Sequence, residues 1–261
     1  MSEIIEVSVY RYDPEVKEQP SWDTYKLETY PSMSVLDALY DILRLKDSSI
    51  SFRCSCRIGM CGSCAMLING TEGLACRTQV STLGSKIKVR PLNNLPVIKD
   101  LAVNMDNFFE KYKDIMPWYI GKSEEVAKIP DGSPERGIID AQLDCITCGA
   151  CYSACSMVTF DKKYIGPAAL NRAYNLLADN RDGSFEERLA RVDHEHGIWR
   201  CHTQFDCVEV CIKKISPTWS IQQIKNEAVI QGVKRIFKKT EREEGCNDGE
   251  KASRDGRTKI S

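Results

Sequence analysis

Cys145-Ile146-Thr147-Cys148-Gly149-Ala150-Cys151-Tyr152-Ser153-Ala154-Cys155 sets four cysteines at the spacing C-x2-C-x2-C-x3-C. With this run a single loop wraps a cubane of iron and sulfide with three thiolates and sends its fourth to a neighbouring cluster. A partner run follows as Cys201, Cys207 and Cys211; a complete one would need a cysteine at position 204, where Gln204 stands. Crossing the runs assigns Cys145, Cys148, Cys151 and Cys211 to a [4Fe-4S] cluster. Cys155, Cys201 and Cys207 remain, and three thiolates predict a [3Fe-4S] cluster. A neutral amide is a poor iron ligand, so Gln204 is expected to pack over the vacant corner. The usual run ends in proline, but here Ser156 follows Cys155 and Ile212 follows Cys211.

Upstream, Cys56, Cys61 and Cys64 give C-x4-C-x2-C, and Cys76 follows in a strand-like segment. That is the plant-type spacing for a [2Fe-2S] cluster. Three thiolates on one loop must converge on two irons, so the backbone has to curl tightly, and Gly59 and Gly62 allow it. Cys54 fits the spacing less well than Cys56 and is expected to be a non-ligand. Around this loop Ile5, Val7 and Val9 alternate with polar residues as in a half-buried strand, and residues 24–30 repeat the pattern. Ser34 and Asp37 have the spacing of a capping box, and Leu36, Leu39, Ile42 and Leu43 then share a helix face. Two further strands are expected at 65–68 and 86–90. The expected fold class is α+β: an N-terminal β-grasp plant-type [2Fe-2S] ferredoxin domain, then a mostly α-helical bacterial-type ferredoxin domain.

The boundaries read as 1–107 for the first domain, 108–137 for a proline-bearing connector and 138–238 for the helical domain. In the last, Pro167 opens a helix with Leu170, Ala173, Tyr174 and Leu177 on one face. Ile221, Ile224, Ala228, Val233 and Ile236 form a looser stripe. Residues 239–261 carry six basic and six acidic residues and almost nothing apolar, which predicts a disordered tail holding Cys246 as a free thiol.

Composition narrows the function. The 36 basic and 37 acidic residues among 261 leave a net charge of −1, so nucleic acid is not an expected partner. The longest charge-free stretch, residues 145–160, is too short and too polar to cross a bilayer, which needs about 20 apolar residues. No export signal is apparent, so the 13 cysteines read as metal ligands before disulfides. His194 and His196 lie in an acidic stretch expected to be a solvated loop. No dinucleotide fingerprint, paired carboxylate or Ser-His-Asp signature suggests bond-making chemistry, so no catalytic residue is expected. Three clusters in one chain make a wire, and a wire needs a donor and an acceptor outside itself.

Ser51-Phe52-Arg53, Ser55-Cys56-Arg57, Gly59, Cys61-Gly62-Ser63-Cys64-Ala65, Ile68-Asn69-Gly70, Leu74-Ala75-Cys76, Pro91-Leu92, residues 97–101, Cys145-Ile146-x-Cys148, Ile165-Gly166-Pro167-Ala168 and Cys201-His202 together resemble the iron–sulfur subunit of succinate dehydrogenase and fumarate reductase. The resemblance runs in order over residues 4–236. It implies an enzyme subunit between an FAD-containing flavoprotein and a membrane anchor that handles quinone and carries haem. Electrons would pass from flavin through the [2Fe-2S], [4Fe-4S] and [3Fe-4S] clusters to quinone, or backwards in fumarate reduction. His202, beside Cys201, is the quinone-side candidate. The segment after Cys155 lacks the tryptophan pair of part of the family, as in its dihaem-anchored branch. The expected location is the cytoplasmic face of a prokaryotic membrane, held there by partner subunits. Alternatives are a different flavoprotein partner, as in a soluble thiol-linked fumarate reductase, and a zinc-stabilised interaction module.

Overall fold

The computed structural model describes residues 3–16, 18–123 and 128–254, with side chains as far as residue 237. Alternation shapes β1 (Ile4–Arg11): Ile5, Val7, Val9 and Arg11 are buried, while Glu6, Ser8 and Tyr10 between them are half-buried. β1 pairs antiparallel with β2 (Ser21–Glu28), which sets Ile5 opposite Leu27 and Val7 opposite Tyr25. On its other edge β1 runs parallel to β5 (Lys86–Arg90), with Val7 opposite Ile87 and Val9 opposite Val89. With β3 (Ala65–Ile68) and β4 (Thr71–Leu74) the sheet order is β2-β1-β5-β3-β4. The parallel pair requires a long crossover, and α1 (Val35–Leu45) lies within it. Its capping box is formed: the Asp37 N–H donates to Ser34 Oγ at 3.2 Å, and the Ser34 N–H donates to the Asp37 carboxylate at 2.9 Å. Val35, Leu36, Ala38, Leu39 and Ile42 join the core of the sheet. This is the expected β-grasp.

The buried end of β1 carries a charge that alternation does not announce. Arg11 donates to Asp100 at 3.1 Å, to Asp23 at 3.0 Å, to Ser49 at 2.7 Å and to Asp47. Asp100 also accepts the N–H groups of Tyr12 and Ser51, each at 3.0 Å. The network fixes the turn between β6 (Val97–Lys99) and β7 (Ala102–Val103) to the sheet.

A helix, α2 (Asp106–Asp114), straddles residue 107 and docks onto the second half of the chain. Phe108 meets Tyr152 edge-on with ring centroids 5.4 Å apart. Lys111 Nζ donates to Tyr152 Oη at 2.9 Å and to the carbonyls of Lys162 and Tyr164 at 2.6 and 2.9 Å. After α3 (Pro134–Leu143), short helices α4 (Ala150–Ala154) and α5 (Ser156–Phe160) carry the cysteine run into α6 (Pro167–Leu177). α6 is buried at every position from 167 to 176 except Arg172, and α3, α4, α7 (Phe185–Val192) and α9 (Pro217–Arg254) pack around it. A short α8 (Asp206–Glu209) sits in the second cysteine run.

Two expectations change on α9. Ile221, Ile224 and Ala228 are buried, whereas Val233 and Ile236 are 45% and 66% exposed, because the helix runs past the edge of the domain. Its backbone stays helical to Arg254, where the composition predicts disorder from residue 239. A helix nucleated on a packed surface adds residues readily when they are Lys, Glu and Arg, as they mostly are over 238–244. The remainder of that tail, 255–261, and the side chain of Cys246 lie outside the described residues.

Candidate iron–sulfur sites

In the first cysteine loop Arg57, Gly59 and Gly62 have φ of +57°, +77° and +72°, turning successive N–H groups toward sulfur. The N–H groups of Met60 and Cys61 donate to Cys56 Sγ at 3.2 and 3.3 Å, and Ser63 Oγ donates to Cys61 Sγ at 3.2 Å. The Ser63 hydroxyl, with help from Cys56, brings the Cys61 thiol down to about 6. Burial pushes Cys64 up to about 12, with Cys76 and Cys61 close enough to act on it. The loop thus gathers Cys56, Cys61, Cys64 and Cys76. Cys54 Sγ instead lies 2.6 Å from Tyr40 Oη.

The other runs close around two cavities. Cys145, Cys148, Cys151 and Cys211 line one, together with Ala168, Asn171 and Ile215. Burial raises the thiols of Cys145, Cys148 and Cys151, and the Ile215 N–H donates to Cys211 Sγ at 3.3 Å. Cys155, Cys201 and Cys207 line the other, with Tyr164, His202, Gln204 and Thr218. Thr218 Oγ1 is 3.2 Å from Cys207 Sγ, and burial pushes that thiol up to about 11. α9 clamps the second run from behind: Lys225 Nζ donates to the Cys201 carbonyl at 2.8 Å, and Gln222 Nε2 to Thr203 Oγ1 at 2.9 Å. The seven cysteines therefore sort as crossing requires, with Cys155 and Cys211 each leaving its own run.

Gln204 lines the second cavity but is exposed, and its Oε1 accepts the Ser156 hydroxyl. The amide is tied to the residue standing where proline usually follows the run, rather than packed over the corner. His202 is also exposed at this cavity. His196 is not free in its loop: its Nδ1 is 2.7 Å from Asp161 Oδ2.

Several shaping residues escape sequence reasoning. Thr147, Thr203, Phe205 and Lys214 join Arg57 at positive φ in and beside the cysteine runs. An L-residue in that conformation leaves no compositional mark, and such strain clusters at functional loops. Tyr164 and Thr218 read as ordinary core residues until the fold sets them against the cysteines.

The first loop comes close against the second domain at Gly62. A Cβ on Gly62 would stand 2.8 Å from Cys148 Cβ and 3.0 Å from the Ile146 carbonyl oxygen. Cys61, Gly62 and Cys148 line the gap between the two sites.

The donors fit clusters. The described cysteines are free of disulfides, and backbone N–H groups point at sulfur, which favours thiolate. Among the described residues, no three His, Cys, Asp or Glu side chains converge as a single metal ion requires. A β-grasp domain with one cysteine loop, joined to a helical domain with two cysteine-lined cavities, defines a two-domain iron–sulfur protein.

Comparison with known proteins agrees. Residues 6–110 match the family of 2Fe-2S iron-sulfur cluster binding domains, and residues 141–215 match the 4Fe-4S dicluster domain. The mitochondrial succinate dehydrogenase [ubiquinone] iron-sulfur subunit 1 of Oryza sativa subsp. japonica is 38% identical over 224 residues, covering 84% of this chain and 80% of that one. A chain of the Mycobacterium smegmatis Sdh1 complex in the apo form shares the fold, with a TM-score of 0.80, 24% identity, and coverage of 88% of this chain and 98% of its own. A hypothetical protein from Helicobacter pylori shares it more loosely, with a TM-score of 0.53, 18% identity, and coverage of 86% and 40%. The chain belongs to the succinate dehydrogenase iron–sulfur subunit family and is a subunit of that enzyme, with a 2Fe-2S domain and a 4Fe-4S dicluster domain.

Proposed function

We propose that this chain relays single electrons between an FAD-containing flavoprotein and quinone at a membrane anchor. Cys56, Cys61, Cys64 and Cys76 hold a [2Fe-2S] cluster. Cys145, Cys148, Cys151 and Cys211 hold a [4Fe-4S] cluster, and Cys155, Cys201 and Cys207 a [3Fe-4S] cluster. The clusters supply one-electron chemistry, and the protein supplies their order, their insulation and the hydrogen bonds to their sulfurs. The observation that carries this reading is the sorting of seven cysteines into a four-thiol and a three-thiol cavity across the sequence order.

Exposed apolar residues flank both ends of the wire, in keeping with a chain built to be covered by partners. Ile58 and Met60 stand out from the first loop at 65% and 60% exposure; we assign that end to the flavoprotein. Phe205 lines the three-thiol cavity, and Trp199 and Trp219 flank its lining residues Cys201 and Thr218 in the sequence, each about half-exposed; we assign that end to the anchor and its haem, with His202 on the quinone side. No helix among the described residues is long and apolar enough to cross a membrane. In this reading partner subunits hold the chain at the membrane surface, on the cytoplasmic face of a prokaryotic cell.

The test is the native complex, isolated from detergent-solubilised membranes and assayed for succinate-driven quinone reduction and quinol-driven fumarate reduction. Activity with a copurifying flavoprotein and hydrophobic anchor supports the relay. An iron-loaded complex with neither activity would discard the substrate. Iron content and electron paramagnetic resonance should report one two-iron, one four-iron and one three-iron cluster; a colourless, zinc-loaded chain would discard the wire.

A further inference from the structure

Asn171 sits in the middle of α6 with 1% of its surface exposed, on a helix whose neighbouring positions are filled by Ala168, Ala169, Leu170 and Ala173. Its Oδ1 accepts the hydroxyl of Ser220, itself fully buried on α9, at 2.9 Å. Its Nδ2 has no hydrogen-bond partner among the described residues. A buried donor left unmade is rare in folded proteins and calls for a partner outside the chain. The same residue lines the cavity of Cys145, Cys148, Cys151 and Cys211. With the amide oxygen accepting the Ser220 hydroxyl, the N–H2 end faces the cavity. The sulfur atoms of a cluster there are acceptors only, which favours this orientation over the flipped one, in which the amide would donate to Ser220 and Ser220 to the Ser216 carbonyl 3.5 Å away.

We propose that Asn171 Nδ2 donates a hydrogen bond to a sulfur of the [4Fe-4S] cluster and thereby raises its reduction potential. This rests on the assignment of that cluster to the four-cysteine cavity. When the cluster takes one electron from its neighbour in the relay, its sulfurs gain negative charge and the N–H···S bond strengthens. The reduced form is therefore stabilised more than the oxidised one, and hydrogen bonds to sulfur are among the levers that set such potentials. Ser220 is the positioning residue: it holds the amide so that donor rather than acceptor faces the cluster. An apolar side chain at 171 would fill the same space without offering that donor, so the residue helps to set the potential of that cluster.

The experiment is a redox titration of the cluster-loaded complex followed by electron paramagnetic resonance, comparing wild type with Asn171→Leu. The expected result is a lower midpoint potential for the four-iron cluster, with the three-iron cluster unmoved and iron content intact. An unchanged four-iron midpoint would overturn the proposal. If Asn171→Leu fails to assemble, Ser220→Ala serves: the freed amide should give a smaller shift in the same direction, and no shift would overturn the proposal. Labelling asparagine side chains with 15N adds a direct readout. A 15N coupling on the reduced four-iron signal supports the bond, and its absence in wild type overturns it. A wild-type complex with no four-iron cluster would instead overturn the cavity assignment on which the proposal stands.

Discussion

Gln204 is the residue on which the cluster inventory turns. Its amide is tied to Ser156 at the edge of the three-thiol cavity, so Gln204→Cys would add a thiolate where the interrupted run needs one. The expected outcome is conversion of the three-iron to a four-iron cluster, with one more iron per chain and loss of the oxidised-state paramagnetic signal. Retention of that signal would move the vacant position elsewhere. The thiols also give the metal-free chain a defined pH response. Cys64 and Cys207 are pushed up to about 12 and about 11 by burial, while an unfolded cysteine ionises at ~8.5. Raised groups contribute stability fully below the unfolded value and lose it as pH rises through the folded one. The metal-free chain should therefore weaken steadily above pH ~8.5, read as a falling urea midpoint. Cys61, held at about 6 chiefly by Ser63, has completed its opposite contribution below that window. Cluster loading runs the other way with pH, because binding iron releases thiol protons.

Among the elements, those with a local signal match expectation closely. The capping box at Ser34 is read directly from side-chain spacing, and β3 and β5 span the expected 65–68 and 86–90. Ser34→Ala should cost about 1 kcal/mol, visible as a lower melting temperature without loss of iron. α7 depends on a contact that spacing does not show. Arg188, with no exposed surface, pairs with Asp182 at 2.9 Å and donates to the Trp118 carbonyl at 2.9 Å, fastening the connector to the helical domain. Arg188→Met leaves Asp182 buried without its cation and should destabilise that domain by about 3–5 kcal/mol, checked by thermal melting of the loaded chain. The outer part of α9 shows the reverse case. Val233 and Ile236 continue an apolar pattern beyond the part of the helix that this chain covers, so periodicity overstates the core.

At the scale of the molecule, the decisive feature is how the two domains meet. Ser153 Oγ donates to Glu72 of β4 at 2.8 Å and accepts the Asn93 N–H at 2.8 Å, while Asn94 Nδ2 donates to the Ser153 carbonyl at 3.0 Å. These bonds, with Phe108 and Lys111 on α2, press the first cysteine loop against the second domain at Gly62. Gly62→Ala should impair docking, with weaker magnetic coupling between the two-iron and four-iron clusters and a several-fold slower transfer between them. Gly59→Ala is the control: it imposes the same left-handed backbone penalty, about 1–2 kcal/mol, but its Cβ would meet only the flexible Arg77 side chain, at 2.9 Å. Equal effects from the two substitutions would show that backbone strain, and not contact with Cys148, is what matters.

Cysteine spacing, strand alternation and a capping box are local, so residue order alone determined the plan of a 2Fe-2S domain followed by a helical dicluster domain, and it carries the proposed loop of Cys56, Cys61, Cys64 and Cys76 and the proposed crossing of Cys155 and Cys211. A thiolate's reach is set by a few intervening residues, and such reach is written in sequence. Only the tertiary structure decided what surrounds those thiols: the left-handed turns at Arg57, Thr147, Thr203 and Phe205, the hydroxyl of Thr218, the amide of Asn171 and the close approach of Gly62 to Cys148. Asn171 and Cys211 lie on different elements, as do Gly62 and Cys148. Contacts between such residues arise when α6, α9 and the sheet pack together, and no local pattern encodes the distance between them.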